Sequence, residues 1–194
     1  MSRHPFILGL GGTTRANSSS EMALRMALAE AEKLGAETAI MTGPELVLPL
    51  YAPENPAREP AALRLVDLLR RCDGVILASP GYHGSISGLM KNALDYVEDM
   101  ARDPLPYLDG RAVGSIACAY GWQATGSTLA AMRSITHALR AWPTPLGVAI
   151  NSMGTKFAED GTCSDASTAG NLSILARQVV WFAQTRVAMR DAAA

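Results

Sequence analysis

An open, mostly parallel α/β sheet with helices on both faces is the fold class this sequence predicts, and three observations carry the expectation. Short apolar runs alternate along the chain with longer segments of helical period. The run Gly74-Val-Ile-Leu-Ala78 is apolar without alternation, as in a strand covered on both faces of a parallel sheet. Parallel neighbours need crossover connections, which the helical segments between the runs supply. A length of 194 residues suits one domain spanning residues 1–194.

The elements follow in order. Pro5–Leu10 reads as the first strand and Glu21–Leu34 as a helix, with Leu24, Ala27, Leu28 and Ala31 on one face. Ser18 and Glu21 form a capping-box pattern at its start, and Gly35 ends it. Glu37–Thr42 is the second strand. A proline-rich stretch with Pro44, Pro49, Pro53 and Pro56 then reads as an extended surface connection, before a helix over Pro60–Cys72. Gly74–Ala78 is the third strand, and Leu89, Ala93, Tyr96, Val97 and Met100 have helical spacing. Ala112–Ala119 is the fourth strand, Ser127–Ala141 a helix and Leu146–Ile150 the fifth strand. Leu172, Leu175, Ala176, Val179 and Ala183 line the last helix.

Composition narrows the function. Seventeen Lys and Arg against eighteen Asp and Glu give a net charge of -1, without the basic excess of a nucleic-acid binder. Cys72, Cys118 and Cys163 are odd in number and widely spaced, which favours reduced thiols in a cytoplasmic protein over a disulfide framework or a zinc site. The buried-hydrophobe reading is favoured for Cys72 and Cys118. The apolar run Phe6–Leu10 is too short for a leader or a membrane span. Neither a nucleophile triad nor a metal-ligand cluster stands out, so no catalytic side chain and no metal are expected.

A sheet of this class binds ligands beyond the carboxyl ends of its strands, and in the order 2-1-3-4-5 the crevice opens between strands one and three. After the first strand comes Gly11-Gly-Thr-Thr-Arg15-Ala-Asn-Ser18-Ser-Ser20. Glycines, hydroxyls, a guanidinium and a helix amino end together suit a dianionic phosphate; a polar turn with a serine cap is the other reading. The loop lacks the third glycine of a dinucleotide fingerprint, because Thr14 stands there, and it lacks the Gly-Lys-Ser/Thr of a Walker loop. After the third strand comes Ser79-Pro-Gly-Tyr-His-Gly-Ser85, leading into Leu89-Met-Lys-Asn-Ala-Leu-Asp95. A third loop, Tyr120–Gly126, follows the fourth strand. Its Trp122 reads either as a ligand contact or as loop packing or a subunit contact.

The second segment resembles the NADPH-dependent FMN reductase family, whose members carry a Ser-Pro-x-Tyr-x-Gly-Ser loop before a Leu-Lys-Asn-Ala-Leu-Asp helix. Met90 stands at that leucine. The first loop is similar to the family's Gly-Ser-x-Arg-x-x-Ser segment, with Thr13 at its second position. The resemblance implies a flavodoxin-like three-layer sandwich around a five-stranded parallel sheet. It implies FMN as cofactor, with Thr13, Arg15, Ser18 and Ser20 on the phosphate, Ser20 standing where many relatives have asparagine. Pro80, Gly81, Tyr82, His83, Gly84 and Ser85 would border the isoalloxazine ring, with backbone N–H groups near its N1 and O2 edge, and Gly121 and Trp122 would close the site. Gly81 departs from the larger, often acidic residue of many members.

The activity implied is hydride transfer from NADPH or NADH to FMN, then reduction of a small-molecule acceptor such as free flavin, a quinone or an azo compound. A homodimer or homotetramer is implied as well, with the Lys91–Asp95 helix either at its interface or facing the core. A flavodoxin-like electron carrier that does not turn over NAD(P)H is the alternative, and a non-catalytic flavin-binding module the third reading. Carriers of that kind tend to be acidic, which the net charge of -1 counts against.

Overall fold

In the computed structural model, which describes residues 3–193, the chain runs β1 (Phe6–Gly11), α1 (Ser19–Lys33), β2 (Glu37–Met41), α2 (Pro60–Arg71), β3 (Gly74–Tyr82), β4 (Ser85–Ile86), α3 (Gly88–Asp95), β5 (Ala112–Ala119), α4 (Trp122–Ala138), β6 (Trp142–Pro143), β7 (Val148–Asn151) and α5 (Ala166–Ala193). The sheet order is β2-β1-β3-β5-β6, with β7 also on β5, and these pairs are parallel. This is the flavodoxin-like order 2-1-3-4-5, its fifth position shared by β6 and β7. The short β4 pairs antiparallel with the end of β3.

Side-chain alternation along the strands divides the core in two. Ile7, Ile76, Ala78, Ile116 and Ile150 face α1 and α5, meeting Leu24, Ala27, Leu28, Leu172, Leu175 and Val179. Leu8, Leu10, Val75, Leu77 and Val113 face the other layer, meeting Leu65 and Leu69 of α2, Met90 and Ala93 of α3 and Met132 of α4. β5 is buried throughout and β3 from Gly74 to Ser79, which is why they read as continuous apolar runs.

Four expectations are corrected. The third strand runs past Ala78 to Tyr82 in spite of Pro80. β1 ends opposite Ala78, where Gly12 N–H gives a last bond to Ala78 O (2.8 Å), so β3 has a free edge where proline is tolerated. The fourth helix starts at Trp122 and ends at Ala138, so most of the expected third loop is helix. The fifth strand starts at Val148 instead of Leu146 and runs to Asn151, because Leu146 N–H donates to Gln178 Oε1 (3.1 Å) rather than to the sheet, and a separate two-residue strand, Trp142–Pro143, precedes it. The helix over Leu89–Met100 becomes a 3-10 turn at Tyr96–Met100.

The proline-rich connection contains a 3-10 turn at Gly43–Leu46 and is tied down by side chains. Asn92 of α3 accepts from Tyr51 N–H (2.9 Å) and donates to Leu48 O (3.2 Å) and Pro49 O (2.9 Å). Arg58 grips Asp99 with two bonds, Nε to Oδ2 at 2.7 Å and Nη2 to Oδ1 at 2.8 Å, and lies over the rings of Tyr51 and Tyr96. Lys91 and Asp95 form their i,i+4 pair on the exposed side of α3.

Candidate functional site

Three strand ends build the site. At the first, β1 passes into the 11–18 loop, and Ser18 caps α1 by accepting Glu21 N–H on its hydroxyl (3.2 Å). The glutamate completes the cap one residue further out than the capping-box pattern implies, its carboxylate taking Asn17 N–H (3.1 Å). Asn17 takes a positive φ of 54° to allow this. The amides of Ser19 and Ser20 find no acceptor among the described residues, so the α1 amino end presents free N–H donors with their dipole. Arg15 is exposed, makes no ion pair among the described residues, and has its own N–H held by Thr13 Oγ1 (3.2 Å).

The second strand end is a tight hairpin. Gly81 pairs with Ile86 and Tyr82 with Ser85, leaving His83 and Gly84 as the two turn residues with φ of 49° and 91°. Positive φ at both positions is the turn that matches the twist of antiparallel strands. Ser79 Oγ accepts Ser87 N–H (3.0 Å), and Ser87 Oγ donates to Gly12 O (2.6 Å) while capping α3 through Met90 N–H (3.1 Å). The two loops expected to carry the chemistry are thus bonded to each other.

At the third, β5 ends at Ala119 and α4 begins three residues on, with Gly121 as its cap at φ 111°. Asn151 at the end of β7 accepts Gly121 N–H (3.2 Å) and Met153 N–H (3.1 Å). Tyr82, Tyr120 and Trp122 are 55%, 77% and 66% exposed.

Between these ends lies a cavity of about 290 Å³ lined by Thr13, Arg15, Ser18, Ser19, Ser20, Pro80, Gly81, Tyr82, Cys118, Ala119, Tyr120, Ala124 and Ser152. Thus Thr13, Arg15, Ser18, Ser20, Pro80, Gly81 and Tyr82 come together on one wall or another. His83, Gly84 and Ser85 stand at the exposed hairpin tip, and Gly121 and Trp122 at the α4 start, next to the lining rather than in it. Ser19, Cys118, Ala119, Tyr120, Ala124 and Ser152 line the cavity as well, although they are not among the expected site residues. Burial pushes the Cys118 thiol up to about 12, so it is a neutral wall group and not a nucleophile at ordinary pH.

The donor set is asymmetric. One end offers hydroxyls, free amides and a guanidinium; the other offers proline, glycine, alanine, a thiol and tyrosines; no carboxylate lines the cavity. A phosphate monoester joined to a planar, largely apolar ring system fits that division.

The sequence model of the family described as NADPH-dependent FMN reductase matches residues 5–155. An NAD(P)H-dependent FMN reductase of Pseudomonas aeruginosa is 28% identical over 118 residues, 59% of this chain and 62% of that protein. An NADPH azoreductase of Bacillus sp. (strain OY1-2) is 45% identical over 51 residues, 26% of this chain and 29% of that protein. The matches therefore span less than two thirds of either relative. The solved structure of FerB, an NAD(P)H:(acceptor) oxidoreductase from Paracoccus denitrificans, superposes with a TM-score of 0.71 at 23% identity, covering 93% of this chain and 98% of that one; this likeness speaks to the fold.

Proposed function

The chain belongs to the NADPH-dependent FMN reductase family, and we propose that it is an FMN-dependent NAD(P)H reductase serving a small acceptor such as free flavin, a quinone or an azo compound. The observation that carries this reading is the single cavity with anion donors at one end and an apolar, aromatic-flanked wall at the other. FMN, when bound, supplies the hydride and electron chemistry, so no side chain has to act as acid, base or nucleophile.

The protein's part is binding and shape. Thr13, Ser18, Ser20 and Arg15, with the free amides of Ser19 and Ser20, hold the phosphate dianion. Pro80, Gly81 and Tyr82 border the ring, and His83, Gly84 and Ser85 fix the hairpin that carries Tyr82. Gly121 and Trp122 frame the mouth from α4. A cavity of about 290 Å³ lies at the small end of ligand pockets, roughly 300–1,000 Å³. A ligand as large as FMN would therefore keep part of its surface at the mouth, on the side of Tyr120. A planar donor or acceptor stacks there without further shape selection, which supports a broad acceptor range.

The same reading takes residues 1–194 as one domain acting in the cytoplasm, as a homodimer or homotetramer. Exposed Trp142, Trp181 and Met189 along the β6 side of α5 support an interface.

Titrating the apoprotein with FMN and following flavin fluorescence tests the phosphate end. Arg15→Ala is expected to raise the Kd about tenfold to a hundredfold, the range of a charge-assisted hydrogen bond, with the melting temperature of the apoprotein unchanged. An unchanged Kd would remove Arg15 from the site.

A further inference from the structure

Gly81 is the point where the β3–β4 hairpin and helix α4 touch. A Cβ built there would lie 2.5 Å from Thr128 Oγ1, 3.2 Å from Ala119 Cβ and 3.3 Å from Ala124 O. None of these is the far end of a flexible chain. The first is closer than real Cβ contacts come, so a side chain at this position requires the Thr128 hydroxyl, the helix or the hairpin to shift. Thr128 is fully buried, and its hydroxyl donates to Ala124 O (2.8 Å) with Ser85 O as a longer second acceptor (3.4 Å). Gly81 and Ser85 lie on opposite strands of the hairpin. One hydroxyl on the second turn of α4 therefore sits against both strands.

The two elements joined here are the two ring-side walls of the cavity. Pro80, Gly81 and Tyr82 come from the hairpin, Tyr120 and Ala124 from the start of α4. We propose that Thr128, seated on the bare Cα of Gly81, is a positioning residue that sets the separation of these walls and so the shape of the ring end of the cofactor site. This rests on the FMN reading above. Thr128 does not line the cavity; it acts through the hairpin. Bulk at positions 81 and 128 is consequently coupled, because added volume at one is accommodated only by volume removed at the other.

The test compares wild type, Gly81→Ala, Thr128→Ala and the double variant. FMN affinity and the visible spectrum of bound FMN are measured for each, with hydrogen exchange of hairpin amides 81–86 in the apoproteins. Gly81→Ala is expected to weaken FMN binding about tenfold, the scale of overpacking by one methyl group, and to shift the bound-flavin spectrum. In the Thr128→Ala background the same change is expected to cost less than about threefold. Equal costs in both backgrounds, or wild-type affinity and spectrum in Gly81→Ala, would overturn the proposal. If Gly81→Ala does not fold, hydrogen exchange in Thr128→Ala decides: faster exchange at residues 81–86 supports the role, and unchanged exchange ends it. Wild type that binds no FMN would defeat the FMN reading instead, and the exchange comparison would still judge the positioning contact.

Discussion

Burial pushes the Cys72 thiol up to about 11 and the Cys118 thiol up to about 12, from an ordinary 9.0. A group that holds its proton more tightly when folded stabilises the fold below its unfolded value and loses that contribution as the pH rises towards its folded one. The protein is therefore expected to lose stability between about pH 9 and pH 12, with a slope of up to about 1.4 kcal/mol per pH unit for each thiol. Urea midpoints across that range check this, and replacing both cysteines by alanine should flatten the slope. Cys118 also marks a limit of reading residues one at a time. All eight residues of β5 are buried, so no alternation in the sequence tells which of them reaches the cavity. Ser152 carries no local signal either; the sheet brings it to the site. By contrast, Thr13, Arg15, Ser18 and Ser20 were legible because a glycine-rich turn, a cation and a helix cap are consecutive in the chain.

Among the elements, the strap between β2 and α2 owes its fixed course to side chains far away in the sequence. Four prolines suggested an extended surface connection, and it does run over the surface, but Arg58 and Asp99, 41 residues apart, lock it against the turn after α3. The Arg58 guanidinium beside Asp99 holds that carboxyl below its usual range. A carboxyl lowered in this way stabilises the fold at neutral pH and stops doing so as acid protonates it. Asp99→Asn is expected to cost about 1.5–3 kcal/mol near neutrality, the range of a hydrogen bond to a charged group, and progressively less as the pH falls through the acid range. Urea denaturation at several pH values reads both effects. FMN affinity should be untouched, since no residue of the strap lines the cavity. The start of α4 was illegible for another reason: Gly121 and Gly126 both read as loop, and the helix runs through Gly126 at a propensity cost of about 1 kcal/mol. The hairpin was hidden because His83 occupies a positive-φ position more often taken by Asn, Asp or Gly.

At the scale of the whole molecule, the alternation of strands with helices and the two-layer covering of the sheet were readable from periodicity, because central strands buried on both faces read as continuous apolar runs, whereas the strand order came from the family resemblance. The outer edge was read only in part: Val148–Asn151 falls within two residues of the expected strand, while the two-residue β6, Trp142–Pro143, is too short to leave a periodic signal. That edge also carries the exposed apolar surface of Trp142 and Trp181. In the proposed assembly part of this surface is covered, and sedimentation at micromolar concentration should return a dimer or tetramer; a monomer would contradict the oligomer. No described helix is long and apolar enough to cross a membrane. The central claim, that one cavity holds FMN for reduction by a nicotinamide dinucleotide, is tested most directly by anaerobic stopped-flow mixing of the FMN-loaded protein with NADPH and, separately, NADH. The account predicts that at least one of them bleaches the flavin absorbance and that an added quinone or azo compound restores it. A protein that binds FMN but keeps its flavin oxidised with both nucleotides would contradict the reductase reading and leave an electron carrier or a non-catalytic flavin-binding module in its place.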